Sequence, residues 1–235
     1  MVLIVVLVPL AMLLAPFPAF QKAFLSRSLH CFLAFLTRAY LPGLGIYSLK
    51  EISGVDVSAS PVVYVANHRG RLDGPLLLGL INNTGVIIKS KYTRRPLYAV
   101  LEWLLDFISI NPNSTDSLAR ALARCQKLFQ NRRSLLVFPE GTRSASGRLR
   151  PFRDLAFRVA IEHNIAVVPV IIYNDFPFMT KTRGSYFPMR KFNYYVRQLA
   201  PICPEPEEKP RELMERVRSQ MAIALKNIEK KNEYL

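Results

Sequence analysis

The chain has few cysteines and few histidines, and this scarcity argues against two classes of site. Cys31, Cys125 and Cys203 are far apart and odd in number, so they do not resemble the paired cysteines of a small disulfide-stapled domain. They form no metal-ligand spacing with the three histidines of the 235-residue chain, and we therefore predict no metal site. Three buried thiols in a reducing compartment are the expected arrangement.

Acidic residues are also scarce, because 17 Asp and Glu stand against 32 Lys and Arg and give a formal net charge of +15. This balance indicates an anionic partner, either nucleic acid or anionic membrane lipids together with anionic substrates. The chain has neither zinc-finger spacing nor the aromatic signature of an RNA-binding sheet, so we predict no nucleic-acid partner. The sequence does not indicate an oligomeric state.

Charged side chains are missing altogether from residues 1–21. This apolar run approaches the roughly 20 residues that cross a bilayer, but Pro9, Pro16 and Pro18 would kink or break a helix there. A cleaved signal peptide would begin with a basic segment, which is absent. We therefore favour a retained anchor, either a short span or a re-entrant segment.

A second apolar stretch follows, with Lys22, Arg27 and Arg38 set among its leucines and phenylalanines. The pattern is typical of an interfacial helix whose basic residues meet lipid headgroups, although an ordinary core helix would have the same spacing. Basic residues directly after the first run favour a cytoplasmic location for the remaining chain. We predict that residues 1–42 form membrane-associated helices on anionic lipids.

Residues 43–203 alternate between strand-like and helix-like segments. The predicted strands are residues 61–66, 85–89, 107–110, 135–138 and 166–173, and the predicted helices are residues 97–105, 116–130 with Asp116 as its cap, and 155–162. This alternation predicts an α/β fold with a mostly parallel sheet flanked by helices. Residues 204–235 are read as a proline-rich linker and an amphipathic helix docked on the domain.

The segment Asn67-His68-Arg69-Gly70-Arg71-Leu72-Asp73 follows the first of these strands directly. Residues after a parallel strand emerge at the carboxyl edge of the sheet, where α/β proteins place their sites. A neutral imidazole at His68 could accept a proton, and the carboxylate of Asp73 could fold back across the turn to orient it. The pair therefore predicts general-base chemistry on a substrate hydroxyl.

The segment Phe138-Pro139-Glu140-Gly141-Thr142-Arg143-Ser144 follows another predicted strand. Together the two segments resemble the first and third signature blocks of the lysophospholipid acyltransferase family, whose best-known members are 1-acyl-glycerol-3-phosphate acyltransferases. The resemblance covers roughly residues 47–199. It implies a membrane-bound enzyme that moves an acyl chain from acyl-coenzyme A or acyl-carrier protein to a lysophospholipid, without a cofactor.

The resemblance also implies roles for individual residues. His68 and Asp73 would be the catalytic pair, and Arg143 would contact the acceptor phosphate. Pro169 would lie on the acyl-chain side of the site. The full set of implied substrate-binding residues is Asn67, Arg69, Arg71, Lys89, Lys91, Glu140, Gly141, Thr142, Arg143 and Pro169. The expected acceptor is 1-acyl-glycerol-3-phosphate, with phosphatidic acid as the product, at the cytoplasmic face of a membrane such as the bacterial inner membrane.

The chain departs from the family pattern in three places. The second block normally ends in an arginine, whereas residues 111–113 here read Asn-Pro-Asn. Arg69 and Arg71 stand where the family carries uncharged residues, and we hypothesise that they compensate or that the acceptor is different. Leu155 stands at a position where the family normally has glycine. The alternatives are therefore another lysolipid acceptor, or a non-catalytic lipid-binding protein on the same fold.

Overall fold

The computed structural model describes residues 18–53, 61–81, 83–93, 96–144, 146–176, 178–180 and 191–233, so most of the anchor predicted in residues 1–21 lies outside the described part. The helices are α1 (Pro18–Phe35), α2 (Leu41–Gly43), α3 (Asp73–Leu80), α4 (Pro96–Leu105), α5 (Thr115–Gln130), α6 (Leu155–Glu162) and α7 (Pro210–Glu233). The strands are β1 (Tyr47–Ser53), β2 (Val63–Ala66), β3 (Thr84–Lys89), β4 (Ile108–Ile110), β5 (Ser134–Val137), β6 (Val167–Asn174) and β7 (Phe192–Gln198). A π-helical turn at Leu36–Tyr40 links α1 to α2, and a 3₁₀ turn at Ser90–Tyr92 follows β3.

The described strands form one sheet in the order β1-β7-β6-β2-β5-β3-β4. The five strands from β6 to β4 run parallel, so their carboxyl ends share one edge. Strand β7 pairs antiparallel with β6, and β1 pairs parallel with β7. The mostly parallel α/β fold that the sequence predicts is therefore confirmed.

Helices cover both faces of the sheet, which explains why the central strands are apolar on both sides. One face packs against α5, α6 and α7, and the other against α1, α3 and α4. The buried residues of α7 recur every three or four positions and are Leu213, Val217, Met221, Leu225 and Ile228. Docking of the C-terminal amphipathic helix on the domain is thus confirmed.

Helix α1 is fixed to the domain by polar contacts as well as by packing. Lys22 Nζ lies 2.6 Å from Asp106 Oδ1, and His30 Nδ1 lies 2.9 Å from the Leu78 carbonyl oxygen. Leu29 and Leu33 pack on the core under this face of the sheet. Among the described stretches of the chain, no helix has both the length and the apolar character needed to cross a bilayer.

Gly79 allows α1 and α3 to cross at close range. A Cβ atom at this position would lie 2.8 Å from the Ala34 backbone nitrogen and 2.9 Å from the Ala34 Cα, so the two helices would have to separate. We expect Gly79→Ala to lower the free energy of unfolding by about 1–3 kcal/mol, measured by denaturant titration. Gly74→Ala in the same helix meets nothing within 4 Å and serves as the control. Equal or greater stability of Gly79→Ala would contradict the close crossing.

Three expectations about local structure were wrong or incomplete. The thiols are not all buried: Cys125 is buried, but Cys31 and Cys203 are exposed. Asp116 is not the cap of α5: the helix begins at Thr115, and the Ser114 side chain accepts a hydrogen bond from the Ser117 backbone. Asp116 lies in the first turn, where its charge still favours the helix. Strands β1 and β7 were not predicted. Strand β7 alternates buried and half-buried residues from Phe192, a strand signal that lies within a basic segment.

Candidate active site

The candidate active site lies where β2 ends and α3 begins. The chain leaves β2 at Ala66, turns through residues 67–72 and enters α3 at Asp73. This turn brings Asp73 back to the imidazole, and His68 Nδ1 lies 2.8 Å from Asp73 Oδ2. The predicted pairing of the two side chains at the carboxyl edge of the sheet is therefore present in the structure.

The Asp73 carboxylate is fully buried and surrounded by hydrogen-bond donors. Its Oδ2 accepts from the backbone N–H groups of Arg69 at 2.6 Å and Gly70 at 2.8 Å, in addition to the imidazole. Its Oδ1 accepts from the Tyr194 hydroxyl. A carboxylate with this many donors is held in one orientation.

This arrangement fixes the proton on the imidazole of His68. An ionised carboxylate only accepts hydrogen bonds, so the neutral imidazole must carry its proton on Nδ1, facing Asp73. The lone pair of Nε2 is then available. His68 lines the large cavity of the protein and keeps 23% of its side chain exposed, so a substrate can reach it.

The backbone of His68 is held on both sides by the second sequence block. Its N–H donates to Glu140 Oε1 at 2.9 Å, and its carbonyl oxygen accepts from the Ser144 N–H at 2.7 Å. The Phe138 ring lies against the imidazole with a centroid separation of 4.4 Å. The segment after β5 therefore supports the turn that carries His68, which follows the neighbouring strand β2.

Glu140 is a buried carboxyl group whose ionisation is costly. Burial raises its pKa above the ordinary value, although hydrogen bonds from the His68 and Arg150 backbones oppose the shift. It was expected to bind substrate, but its oxygens contact these two N–H groups, and it is not among the residues that line the cavity.

Because burial raises the pKa of Glu140, the contribution of this residue to the free energy of unfolding should depend on pH. A carboxyl whose folded-state pKa exceeds its unfolded value contributes stability that is present at low pH and is lost as pH rises through the folded value. Glu140→Gln lacks this contribution to stability. The free energy of unfolding of the variant, minus that of the native protein, should therefore increase between pH 4.5 and pH 8. Denaturant titrations across that range measure the difference, and a difference independent of pH would contradict the assignment.

The cavity beside His68 has a volume of about 1340 Å³ and two chemically distinct parts. One part is apolar and reaches between the sheet and helices α1, α3 and α4, with Leu33, Leu78 and Leu101 in its wall. The other part carries basic side chains from several elements, namely Arg71, Lys89, Lys91, Arg143, Arg153 and Arg211.

The acidic residues on the cavity wall do not cancel this positive charge. Asp154 forms an ion pair with Arg158 at 3.2 Å, and Glu215 lies 3.6 Å from Arg218. The basic part of the cavity is therefore suited to bind an anion.

The structure brings most of the predicted residues together but gives several of them other partners. Arg71, Lys89, Lys91, Gly141, Thr142 and Arg143 line the cavity together with His68. One terminal nitrogen of Arg143 also donates to the carbonyl oxygens of Met179 at 2.9 Å and Thr180 at 3.0 Å. The cavity wall thus carries Arg71 from the segment after β2, Arg143 from the segment after β5, and Lys89 and Lys91 from β3 and the turn that follows it.

Three other predicted residues are not among those that line the cavity. Arg69 donates to Asn174 and Gly147, and its guanidinium lies 4.9 Å from the Tyr173 ring centre. Asn67 is buried and exchanges two hydrogen bonds with the backbone of Ile172. Pro169 is buried in β6 opposite Val65, so its acyl-chain role stays a prediction. The hypothesis of a compensating charge thus applies to Arg71 alone.

Sequence reasoning did not single out Arg153. Gly141 has a positive φ of +61°, and a Cβ there would lie 3.2 Å from Arg153 Nε and 3.7 Å from Lys89 Cε. The missing side chain lets Lys89 and Arg153 both approach the backbone of Gly141 at the cavity wall. Arg153 lies thirteen residues after Glu140 in a basic segment, and nothing in the neighbouring sequence indicates that it reaches the site.

A family model described as Acyltransferase matches residues 50–173. The chain belongs to the acyltransferase family. A 1-acyl-sn-glycerol-3-phosphate acyltransferase of Saccharomyces cerevisiae is 30% identical over 191 residues, covering 77% of this chain and 60% of that protein. The chloroplastic enzyme BAT2 of Brassica napus is 32% identical over 53% of this chain and 36% of its own length. The chain thus spans between about a third and three fifths of these two relatives.

The fold of this acyltransferase-family chain is also found in a solved structure. The 1-acyl-sn-glycerophosphate (LPA) acyltransferase PlsC from Thermotoga maritima superposes with a TM-score of 0.71 at 20% sequence identity. The match covers 96% of this chain and 95% of that one. The two proteins therefore share the fold, including the arrangement of helices around a mostly parallel sheet.

Proposed function

We propose that the protein transfers a fatty acyl chain from a thioester donor to the free hydroxyl of 1-acyl-glycerol-3-phosphate, giving phosphatidic acid. The observation that carries the proposal is the His68–Asp73 pair at 2.8 Å, in a cavity that is apolar on one side and basic on the other. Both relatives named above are 1-acyl-sn-glycerol-3-phosphate acyltransferases, which supports the same reaction.

In this reaction the Nε2 of His68 takes the proton of the acceptor hydroxyl as its oxygen attacks the thioester carbonyl. The imidazolium that forms is stabilised by the Asp73 carboxylate across the 2.8 Å contact. When the carbon–sulfur bond breaks, the same proton passes to the departing thiolate. The ester forms, the thiol leaves, and His68 returns to its neutral state.

The apolar part of the cavity would hold an acyl chain. Leu29 and Leu33 of α1 face Leu78 of α3 and Leu101 and Leu105 of α4 around this space. Burying each methylene there contributes about 0.8 kcal/mol, so a long chain adds binding energy without any polar contact. Because α1 supplies part of the wall, this helix would contribute to the site as well as to attachment of the protein to the membrane.

The basic part would hold the acceptor phosphate. Lys89 and Arg153 both lie close to Gly141, and Arg143 also lines the cavity. Guanidinium groups offer forked donors that fit phosphate oxygens. We propose that these three residues replace the arginine missing at residues 111–113, with Arg71 and Lys91 adding charge at the wall.

The location and the donor are further parts of the proposal. Residues 1–42 would attach the protein to anionic lipids at the cytoplasmic face of a membrane, where the lysophospholipid acceptor would reside. The exposed aromatic rings of Phe20, Phe35 and Tyr40 on α1 and the π-helical turn are suited to a bilayer surface. Acyl-coenzyme A and acyl-carrier protein are both thioesters, so either would serve the chemistry.

The experiment is an acceptor panel with the purified full-length protein in anionic vesicles. Each donor is offered with 1-acyl-glycerol-3-phosphate, 1-acyl-glycerol and lysophosphatidylethanolamine, and thiol release and product are followed. A buried contact to a charged group is worth up to about 3 kcal/mol, so the acceptor lacking phosphate should react about a hundredfold more slowly.

Two results would contradict the proposal. Equal rates with 1-acyl-glycerol and its phosphate would remove the role of the basic wall. No thiol release with any donor and acceptor would favour a lipid-binding protein that lacks acyl-transfer activity.

A further inference from the structure

Tyr194 contacts the Asp73 oxygen that His68 leaves free. The Tyr194 hydroxyl donates to Asp73 Oδ1, whereas the imidazole contacts Oδ2. Both groups are buried, with 1% of Tyr194 and none of Asp73 exposed to solvent. Neither residue is among those that line the cavity, so Tyr194 reaches the reacting groups only through the carboxylate.

The position of Tyr194 is fixed by the sheet. It lies in β7, where its backbone pairs with Asn174 of β6 in the antiparallel ladder. Its ring packs 5.5 Å from Tyr47 of β1 and 6.3 Å from Phe192. The two strands that depart from the parallel pattern therefore place a hydroxyl against the candidate catalytic pair.

Tyr194 remains a hydrogen-bond donor throughout the working range of pH. Burial raises the pKa of Tyr194 well above its ordinary value, and the neighbouring Asp73 charge raises it further. A phenol that keeps its proton has one O–H to give, and the carboxylate is its acceptor in the structure.

We propose that Tyr194 is a positioning residue that holds the Asp73 carboxylate so that Oδ2 stays aligned with His68 Nδ1; this inference rests on the proposed function. Backbone N–H groups of Arg69 and Gly70 fix Oδ2 alone. Without the tyrosine hydroxyl, Oδ1 loses the donor that fixes the second oxygen. The carboxylate is then held through Oδ2 only, so its plane and its alignment with the imidazole are less firmly fixed.

The test is Tyr194→Phe, which removes only the hydroxyl. We expect kcat to fall about tenfold, while the KM values of donor and acceptor stay within about twofold, because the residue does not contact substrate. The acidic limb of the kcat–pH profile should move to lower pH, because a carboxylate that is no longer aligned with Nδ1 stabilises the imidazolium less. A purely structural loss would leave that limb in place.

Tyr47→Phe is the matched control. Tyr47 is an equally buried tyrosine whose ring touches Tyr194, but its hydroxyl donates to the Thr37 carbonyl oxygen and not to Asp73. Both variants should lose similar unfolding free energy, and only Tyr194→Phe should lose kcat and change the pH profile. Unchanged kcat in Tyr194→Phe, or an equal fall in both variants, would overturn the inference.

Asp73→Asn in the same assays separates this inference from the proposed function. A large loss in Asp73→Asn with native kcat in Tyr194→Phe would refute the positioning role alone. Native activity in Asp73→Asn would refute the catalytic pair itself.

Discussion

Replacing His68 by alanine is expected to reduce acyl transfer by about three orders of magnitude. In the proposed mechanism His68 takes the acceptor proton and later protonates the thiolate, and general acid–base catalysis of this kind contributes about 10²–10⁴-fold. Binding should change little, because the basic and apolar walls of the cavity are left intact. Initial rates of thiol release and of phosphatidic acid formation measure the effect in the presence of 1-acyl-glycerol-3-phosphate.

The matched control is His163→Ala. His163 follows the end of α6 and packs against Phe129, and it is not among the residues that line the cavity. Its loss should leave the rate within about twofold at a temperature where the variant is folded. A His68→Ala protein that transfers acyl chains at the native rate would show that another group serves as the base.

Replacing Asp73 by asparagine is expected to reduce kcat by about 10³-fold. The fully buried carboxylate accepts hydrogen bonds from the imidazole, two backbone N–H groups and the Tyr194 hydroxyl. An asparagine has one acceptor oxygen, so its NH₂ group must face donors on one side. The imidazole would then lose its partner or adopt the other tautomer, with the proton on the nitrogen that should act as the base.

The same substitution should also lower the free energy of unfolding by about 1–3 kcal/mol, because buried donors lose their acceptor. Thermal melting establishes that the variant is folded under assay conditions. Asp116→Asn, at an exposed position in the first turn of α5, is the control for changing an aspartate without touching the site. A folded Asp73→Asn protein with native kcat would contradict the role of the carboxylate.

The sequence was informative where structure depends on neighbouring residues. Five parallel strands read as short apolar runs, and each predicted boundary lies within two residues of the observed one. The contact between His68 and Asp73 was also predictable, because five residues and one turn separate them at a strand end. A parallel strand that leads into a helix brings such residues to the same edge of the sheet.

Residues that reach the site from distant parts of the chain were not predictable in the same way. Tyr194 meets Asp73 across 121 residues, through the antiparallel pairing of β6 and β7. The alternation of Phe192, Tyr194 and Val196 is a strand signal, but it lies within a basic segment and the strand was not predicted. Nothing local could tell which strand β7 would join.

Glu140 illustrates a different limit of sequence reasoning. The family resemblance implied a substrate contact for this residue, but its chemical role depends on which atoms it faces. In the structure its carboxyl group accepts hydrogen bonds from the backbone N–H groups of His68 and Arg150. It therefore holds the turn that carries His68, which only the three-dimensional contacts reveal.

The proposed mechanism requires that His68 takes the proton of the acceptor hydroxyl, which then attacks the thioester without an acyl-enzyme intermediate. A single-turnover experiment with a radiolabelled acyl thioester and excess enzyme tests this requirement directly. The label is followed on protein and on lipid after rapid quenching, in the native protein and in His68→Ala. The label should pass from thioester to lipid without accumulating on the protein, at a rate that collapses in the variant. Label that builds up on the protein before it reaches lipid, or undiminished transfer by His68→Ala, would contradict the mechanism.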